Sequence, residues 1–198
     1  MKKNIPALVL LLLGATIYYS CQNASSLPAT ASDVVDNDSL IKRGSYLVTA
    51  MGCNDCHTAK RMGPNGPELD TNHLLSGFTA TDPLPKLPVD TAITNHYVLA
   101  SFAFTSFVGP WGTSFAANLT SDPTGLGGWT LERFKKALQE GQYHGIDGTR
   151  KILPPMPLTA FKDLNDDDFK ALYTYLQATK PVKNLVPKPI PPGGMAIK

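Results

Sequence analysis

The run Cys53-Asn54-Asp55-Cys56-His57 places two thiols and an imidazole within one turn of helix. A Cys-x-x-Cys-His sequence is an attachment site for c-type haem. The thiols add across the two vinyl groups of the porphyrin, and the two-residue spacer presents both sulfurs to one edge of the macrocycle. The adjacent histidine then supplies an axial nitrogen to the iron. A bare Cys-x-x-Cys has two other uses, as a redox disulfide or as half of a zinc site. The redox motif follows a strand in a βαβ unit, and no such pattern surrounds Cys53. A structural zinc needs about four ligands. The remaining cysteine is Cys21, and His73, His96 and His144 have no ligand spacing.

A six-coordinate iron needs a second axial group, and a methionine thioether is the usual one on a carrier. Met51 lies two residues before Cys53 and Met62 follows His57 by five residues, so both fall on the histidine side. Met195 sits in a proline-rich tail, and Met1 belongs to the leader. Met156 remains, within Leu153-Pro154-Pro155-Met156-Pro157-Leu158. Prolines on both sides stiffen that backbone and suit a loop that must hold a side chain in place. Met156 is the expected ligand. A buried methionine filling a loop, with His144 or His96 on the iron, is the alternative.

Upstream, Met1-Lys2-Lys3 is followed by an apolar stretch from Ile5 to Ile17 and then Tyr18-Tyr19-Ser20-Cys21. A basic start, a short apolar core and small residues near a cut make a secretory signal. The core is shorter than the ~20 residues of a membrane span. Ser20-Cys21 at its end resembles the lipoprotein signal, so residues 1–20 are expected to be a lipoprotein-type signal with Cys21 lipidated; an uncleaved anchor helix extended by Tyr18 and Tyr19 is the alternative. Residues 22–37, rich in Ser, Ala, Thr, Asn and Asp, continue Cys21 into a flexible tether. That leader places the rest of the chain outside the cytoplasm, on the periplasmic side of a bacterial membrane, where c-type haem is attached.

The elements that must position the motif are helical. Leu40, Gly44, Leu47, Val48 and Met51 recur at helical spacing from about Asp38 to Ala50, leading straight into Cys53. A second helix runs from Thr130, an N-cap residue, to about Glu140. The third starts at Asn165, with Asp168 three residues on and Phe169, Leu172, Tyr173 and Leu176 on one face. Pro181 stops it. Between His57 and the second helix lie about 70 residues punctuated by proline, a length that needs a reason. Within them Tyr97 to Val108 suits one short helix or a strand pair. Seventeen prolines and sixteen glycines favour long ordered loops. Basic and acidic residues balance once Lys2 and Lys3 are set aside, and no basic stripe points to nucleic acid.

The attachment run, Pro155-Met156-Pro157 and the last helix ending Tyr173-Thr174-Tyr175-Leu176 together resemble single-haem class I c-type cytochromes. A closer resemblance is carried by Asn118-Leu119-Thr120-Ser121-Asp122 and Thr124-Gly125-Leu126-Gly127-Gly128-Trp129, a pattern of bacterial cytochromes that accompany dehydrogenases or respiratory complexes. The likeness covers roughly residues 38–180, leaving 181–198 as a proline-rich tail; the long 58–128 segment departs from compact members. It implies an all-α class I cytochrome c fold, three main helices around one covalently bound haem with long Pro/Gly-rich loops. One heme c would sit on Cys53 and Cys56, ligated by His57 and Met156. The implied function is electron transfer between redox partners, among them a dehydrogenase, a respiratory complex or a terminal oxidase, without substrate chemistry of its own. A relay subunit fixed within an oxidoreductase complex is the alternative; a haem sensor or a peroxidase fits less well, since a di-haem peroxidase needs a second attachment run. The family pattern also implies that Gly44 lies where the first and last helices cross, beside Tyr175. It further implies that a proline carbonyl, Pro64 or Pro110, holds the second nitrogen of His57.

Overall fold

A computed structural model of the chain describes residues 36–83 and 96–192. The leader, Cys21, nearly all of the tether and Met195 lie outside the described residues. From Asn37 onward the chain forms one compact unit. Among the described residues there are four α-helices: α1 (Asn37–Ala50), α2 (Cys53–His57), α3 (Leu131–Gln139) and α4 (Asp166–Gln177). None of them is long and apolar enough to cross a membrane.

The core is built where α1 meets α4. Leu40, Leu47 and Val48 from α1 pack with Phe169, Ala171, Leu172 and Leu176 from α4, and Phe134 of α3 closes the group. Phe169 is fully buried, with the Phe134 ring edge-on to it at 6.4 Å. Gly44 is what allows the approach. A Cβ there would stand 2.1 Å from the Ala171 carbonyl oxygen and 2.5 Å from Tyr175 Cβ, so any side chain would force the helices apart.

The helix starts follow local chemistry. Thr130 accepts a hydrogen bond from the Arg133 amide and caps α3. Asn165 accepts from the Asp168 amide at 2.8 Å, and its own amide donates to the Asp168 carboxylate at 3.3 Å. Asp166, Asp167 and Asp168 crowd the first turn of α4, where the dipole favours negative charge.

Two small antiparallel sheets stand beside the helices that the all-α reading names. β1 (Lys60–Gly63) pairs with β2 (Gly66–Leu69). β3 (Leu99–Ala100), β4 (Ser106–Gly109) and β5 (Gly112–Phe115) form the second, in that order. The Tyr97 to Val108 stretch is thus a strand pair. Pro64 and Pro110 occupy the two-residue turns of the hairpins, the first between β1 and β2 and the second between β4 and β5, where a preset φ suits the bend. After α4 the proline-rich segment runs without helix through its described residues, with Ile190 bridging to Thr113 of β5.

Candidate haem-attachment site

One turn of α2 carries Cys53, Cys56 and His57, immediately after α1. The spacer is part of the construction. Asn54 Oδ1 accepts the Thr58 hydroxyl proton at 2.8 Å, and Thr58 Oγ1 in turn accepts from the Leu75 amide at 2.8 Å. Thr58 is wholly buried. Lys60 folds back so that its ammonium reaches the Asp55 carbonyl.

His57 is buried, and its Nδ1 lies 2.8 Å from the Ala117 carbonyl oxygen. A carbonyl can only accept, so Nδ1 carries the proton and Nε2 keeps its lone pair. Burial lowers the imidazole pKa, against the smaller opposing effect of Ala117, and keeps the ring neutral. The carbonyl that orients His57 therefore belongs to Ala117, not to Pro64 or Pro110. Both prolines are spent in hairpin turns, whereas β5 runs on through Ala116 to bring Ala117 beneath the ring.

Gly77 locks that arrangement. Its amide donates to the His57 carbonyl at 2.8 Å, and Phe78 donates to Ala116 O at 2.9 Å. With φ at +80°, Gly77 adopts a backbone that side chains resist, and a Cβ there would lie 2.4 Å from Ala116 O. The Phe78 and Phe115 rings meet at 4.7 Å over the same contact.

Both cysteines are unpaired and half-buried. Burial pushes the Cys53 thiol up to about 11 and raises Cys56 as well. A redox-active Cys-x-x-Cys works through a lowered thiol pKa, and burial here acts in the opposite direction. Among the described residues no group of three or more His, Cys, Asp or Glu side chains is placed to hold a metal ion.

Met156 packs against the same core cluster as Cys53, together with Leu119, Trp129 and Leu138. Met62 is 71 % exposed on β1. The loop bearing Met156 is tied at three points. The Ile152 amide donates to Gly141 O at 2.8 Å, the Ser114 hydroxyl donates to Pro154 O at 2.7 Å, and the Leu158 amide donates to Met156 O at 2.9 Å. Trp111 Nε1 donates to Ser114 Oγ at 3.2 Å and fixes the serine. His144 is engaged elsewhere. Its ring stands 4.0 Å from Tyr143 and 5.7 Å from Trp129, and Arg133 Nε donates to its carbonyl at 2.7 Å. Burial, then the charges of Arg133 and Arg150, lower its pKa. His96 is exposed.

The donor set fits a c-type haem: two free thiols on one helical turn, then a neutral buried imidazole with its outer nitrogen satisfied. Sequence reasoning missed Ala117, Gly77, Ser114 and Thr58. Only Thr58 carried a signal, its place directly after His57.

Over 184 residues the chain is 32% identical to the fructose dehydrogenase cytochrome subunit of Gluconobacter japonicus, an alignment covering 91% of this chain and 28% of that protein. It is 31% identical over 176 residues to the gluconate 2-dehydrogenase cytochrome c subunit of Pantoea cypripedii, covering 88% and 28%. A third relative, the cytochrome c subunit of the quinone-type alcohol dehydrogenase of Gluconobacter oxydans, is 30% identical over 148 residues, covering 74% and 23%. The chain thus spans about a quarter of the length of the cytochrome subunits it matches. No protein-family profile matches the sequence.

Proposed function

We propose that this chain is a mono-haem c-type cytochrome that passes single electrons, with haem bound through Cys53 and Cys56 and with His57 and Met156 as axial ligands. The observation that carries the reading is the buried, neutral His57 whose Nδ1 proton is given to Ala117 beside two unpaired thiols. Similarity to cytochrome subunits of dehydrogenases supports it. When bound, the haem supplies a ferric–ferrous couple. The protein's part is to hold and tune it. Cys53 and Cys56 tether the macrocycle, the Ala117 carbonyl fixes the imidazole tautomer and raises its donor strength, and the packed cluster around Met156 keeps water out. A thioether ligand favours the ferrous form.

The electron donor in this reading is a dehydrogenase, with a respiratory complex or terminal oxidase downstream. A lipidated Cys21 would hold the domain on the periplasmic face of a membrane. A second reading, a relay subunit fixed within an oxidoreductase complex, is favoured by the relatives, which are subunits rather than free carriers.

Protein matured with its haem-attachment machinery tests the proposal. The pigment should stay with the polypeptide through acid–acetone extraction, and the reduced protein should not bind carbon monoxide. Replacing Met156 with Ala should lower the potential, abolish the far-red band of the ferric methionine–iron bond and admit carbon monoxide. Extractable pigment, or a wild type that binds carbon monoxide avidly, rejects the reading.

A further inference from the structure

We propose that Asn184, on the extended segment after α4, is a positioning residue for His57: it clamps the backbone that presses the Ala117 carbonyl onto the imidazole. The inference rests on the reading of His57 as an iron ligand.

The Asn184 carboxamide brackets a segment more than a hundred residues earlier in the chain. Its Nδ2 donates to Ser76 O at 2.6 Å and to Phe78 O at 2.8 Å, and its Oδ1 accepts from the Ala80 amide at 3.0 Å. The backbone amide of Asn184 donates to Thr124 Oγ1 at 2.9 Å, so the clamp is itself anchored. Between the two clamped carbonyls lies Gly77, the residue that binds the His57 carbonyl and abuts Ala116. Phe78, the second clamped residue, donates to Ala116. A second hold reaches Ala117 from its other side. Asn118 is buried, and its Nδ2 donates to Val182 O at 2.8 Å, two residues before Asn184. The extended segment therefore grips Ala117 through 76–78 and through Asn118.

A carbonyl held rigidly against Nδ1 keeps the imidazole a strong donor, and strong donation favours ferric iron. Releasing Asn184 lets residues 76–78 and 116–117 open together, weakens that hydrogen bond and shifts the couple toward ferrous. An extended segment that merely covered the core would influence stability alone.

The test uses full-length protein carrying its haem. In Asn184→Ala the His57 Nδ1 proton of the ferrous form should exchange with solvent about tenfold faster, the equivalent of one lost buried hydrogen bond, and the midpoint potential should rise. Thr179→Ala serves as the control. It removes a hydroxyl that donates to Leu176 O and accepts from the Ser121 amide, at the start of the same segment. It should lower the melting temperature without moving Nδ1 exchange or potential. Equal behaviour of the two variants, or wild-type exchange in Asn184→Ala, overturns the proposal. If Asn184→Ala does not accumulate, Asn184→Gln takes its place, with the amide displaced by one methylene. If neither accumulates, the wild type decides: the Asn184 carboxamide protons and the His57 Nδ1 proton must exchange in one opening event, and separate rates overturn the proposal. A wild-type chain that matures without covalent haem defeats the haem reading itself. A haem protein whose Nδ1 exchange ignores Asn184 defeats only the clamp.

Discussion

Two regions hold the Cys53–His57 turn, and they do so by different physics. On one side α1 leans on α4 through leucines, Phe169 and the bare backbone at Gly44. On the other, side-chain-to-backbone hydrogen bonds of Asn118, Thr120 and Asn184 join the described part of residues 58–128 to the segment after α4, and Thr58 ties that part to itself through the Leu75 amide. The apolar side is non-directional and tolerates small shifts. The polar side fixes particular atoms, and it is the side that touches the nitrogen of His57. Division of labour follows: burial supplies the stability, and directed hydrogen bonds supply the placement of the ring.

Three substitutions probe that contrast, in falling order of effect. Phe169→Ala strikes the centre of the apolar side and should cost about 3–5 kcal/mol, read as a large fall in the denaturation midpoint. A cost near 1 kcal/mol would mean the helix crossing carries less of the fold than its burial implies. Asn118→Ala strikes the polar side. It strands the Thr120 amide, leaves the Val182 carbonyl only the Thr120 hydroxyl at 3.4 Å, and should cost about 1–3 kcal/mol. In the proposed haem protein it should also loosen the surroundings of His57, measured as a shift in the spectrum of the ferric form, which Phe169→Ala at matched stability should not produce. Asn165→Ala removes the cap of α4 and should cost about 1 kcal/mol with no spectral change. A spectral shift from the cap alone would erase the distinction between the two sides.

The same contrast governs what could be read from the residues alone. Helices α1, α3 and α4 were legible because apolar side chains recur at helical spacing and Thr130 and Asn165 cap in the ordinary way. The Cys53–His57 run stood out because c-type haem attachment would need those residue types at that spacing. The polar side was opaque. Its strands are two to four residues long and its sheets carry Ser, Thr and Gly as well as apolar residues, so no period of two develops. The acceptor for His57 is a backbone carbonyl, which any residue could supply, and the expectation of a proline there failed for that reason. Asn118 fell within a recognisable run, Asn118-Leu119-Thr120-Ser121-Asp122, yet nothing in the run says that its carboxamide reaches Val182. Asn184 stands in a stretch with no periodicity at all.

Ser114 and Ala117 are three residues apart, and each holds one of the two candidate ligands: Ser114 through the Pro154 carbonyl of the Met156 loop, Ala117 through the ring of His57. An extended chain covers about 10 Å in three residues. The end of β5 therefore works as a gauge block set between the two jaws of a clamp. Lengthening or shortening the chain between Ser114 and Ala117 by one residue would reset both jaws at once, and no side-chain repacking elsewhere could restore the gap. Within a chain otherwise generous with loop, this is a stretch where length itself is the specification.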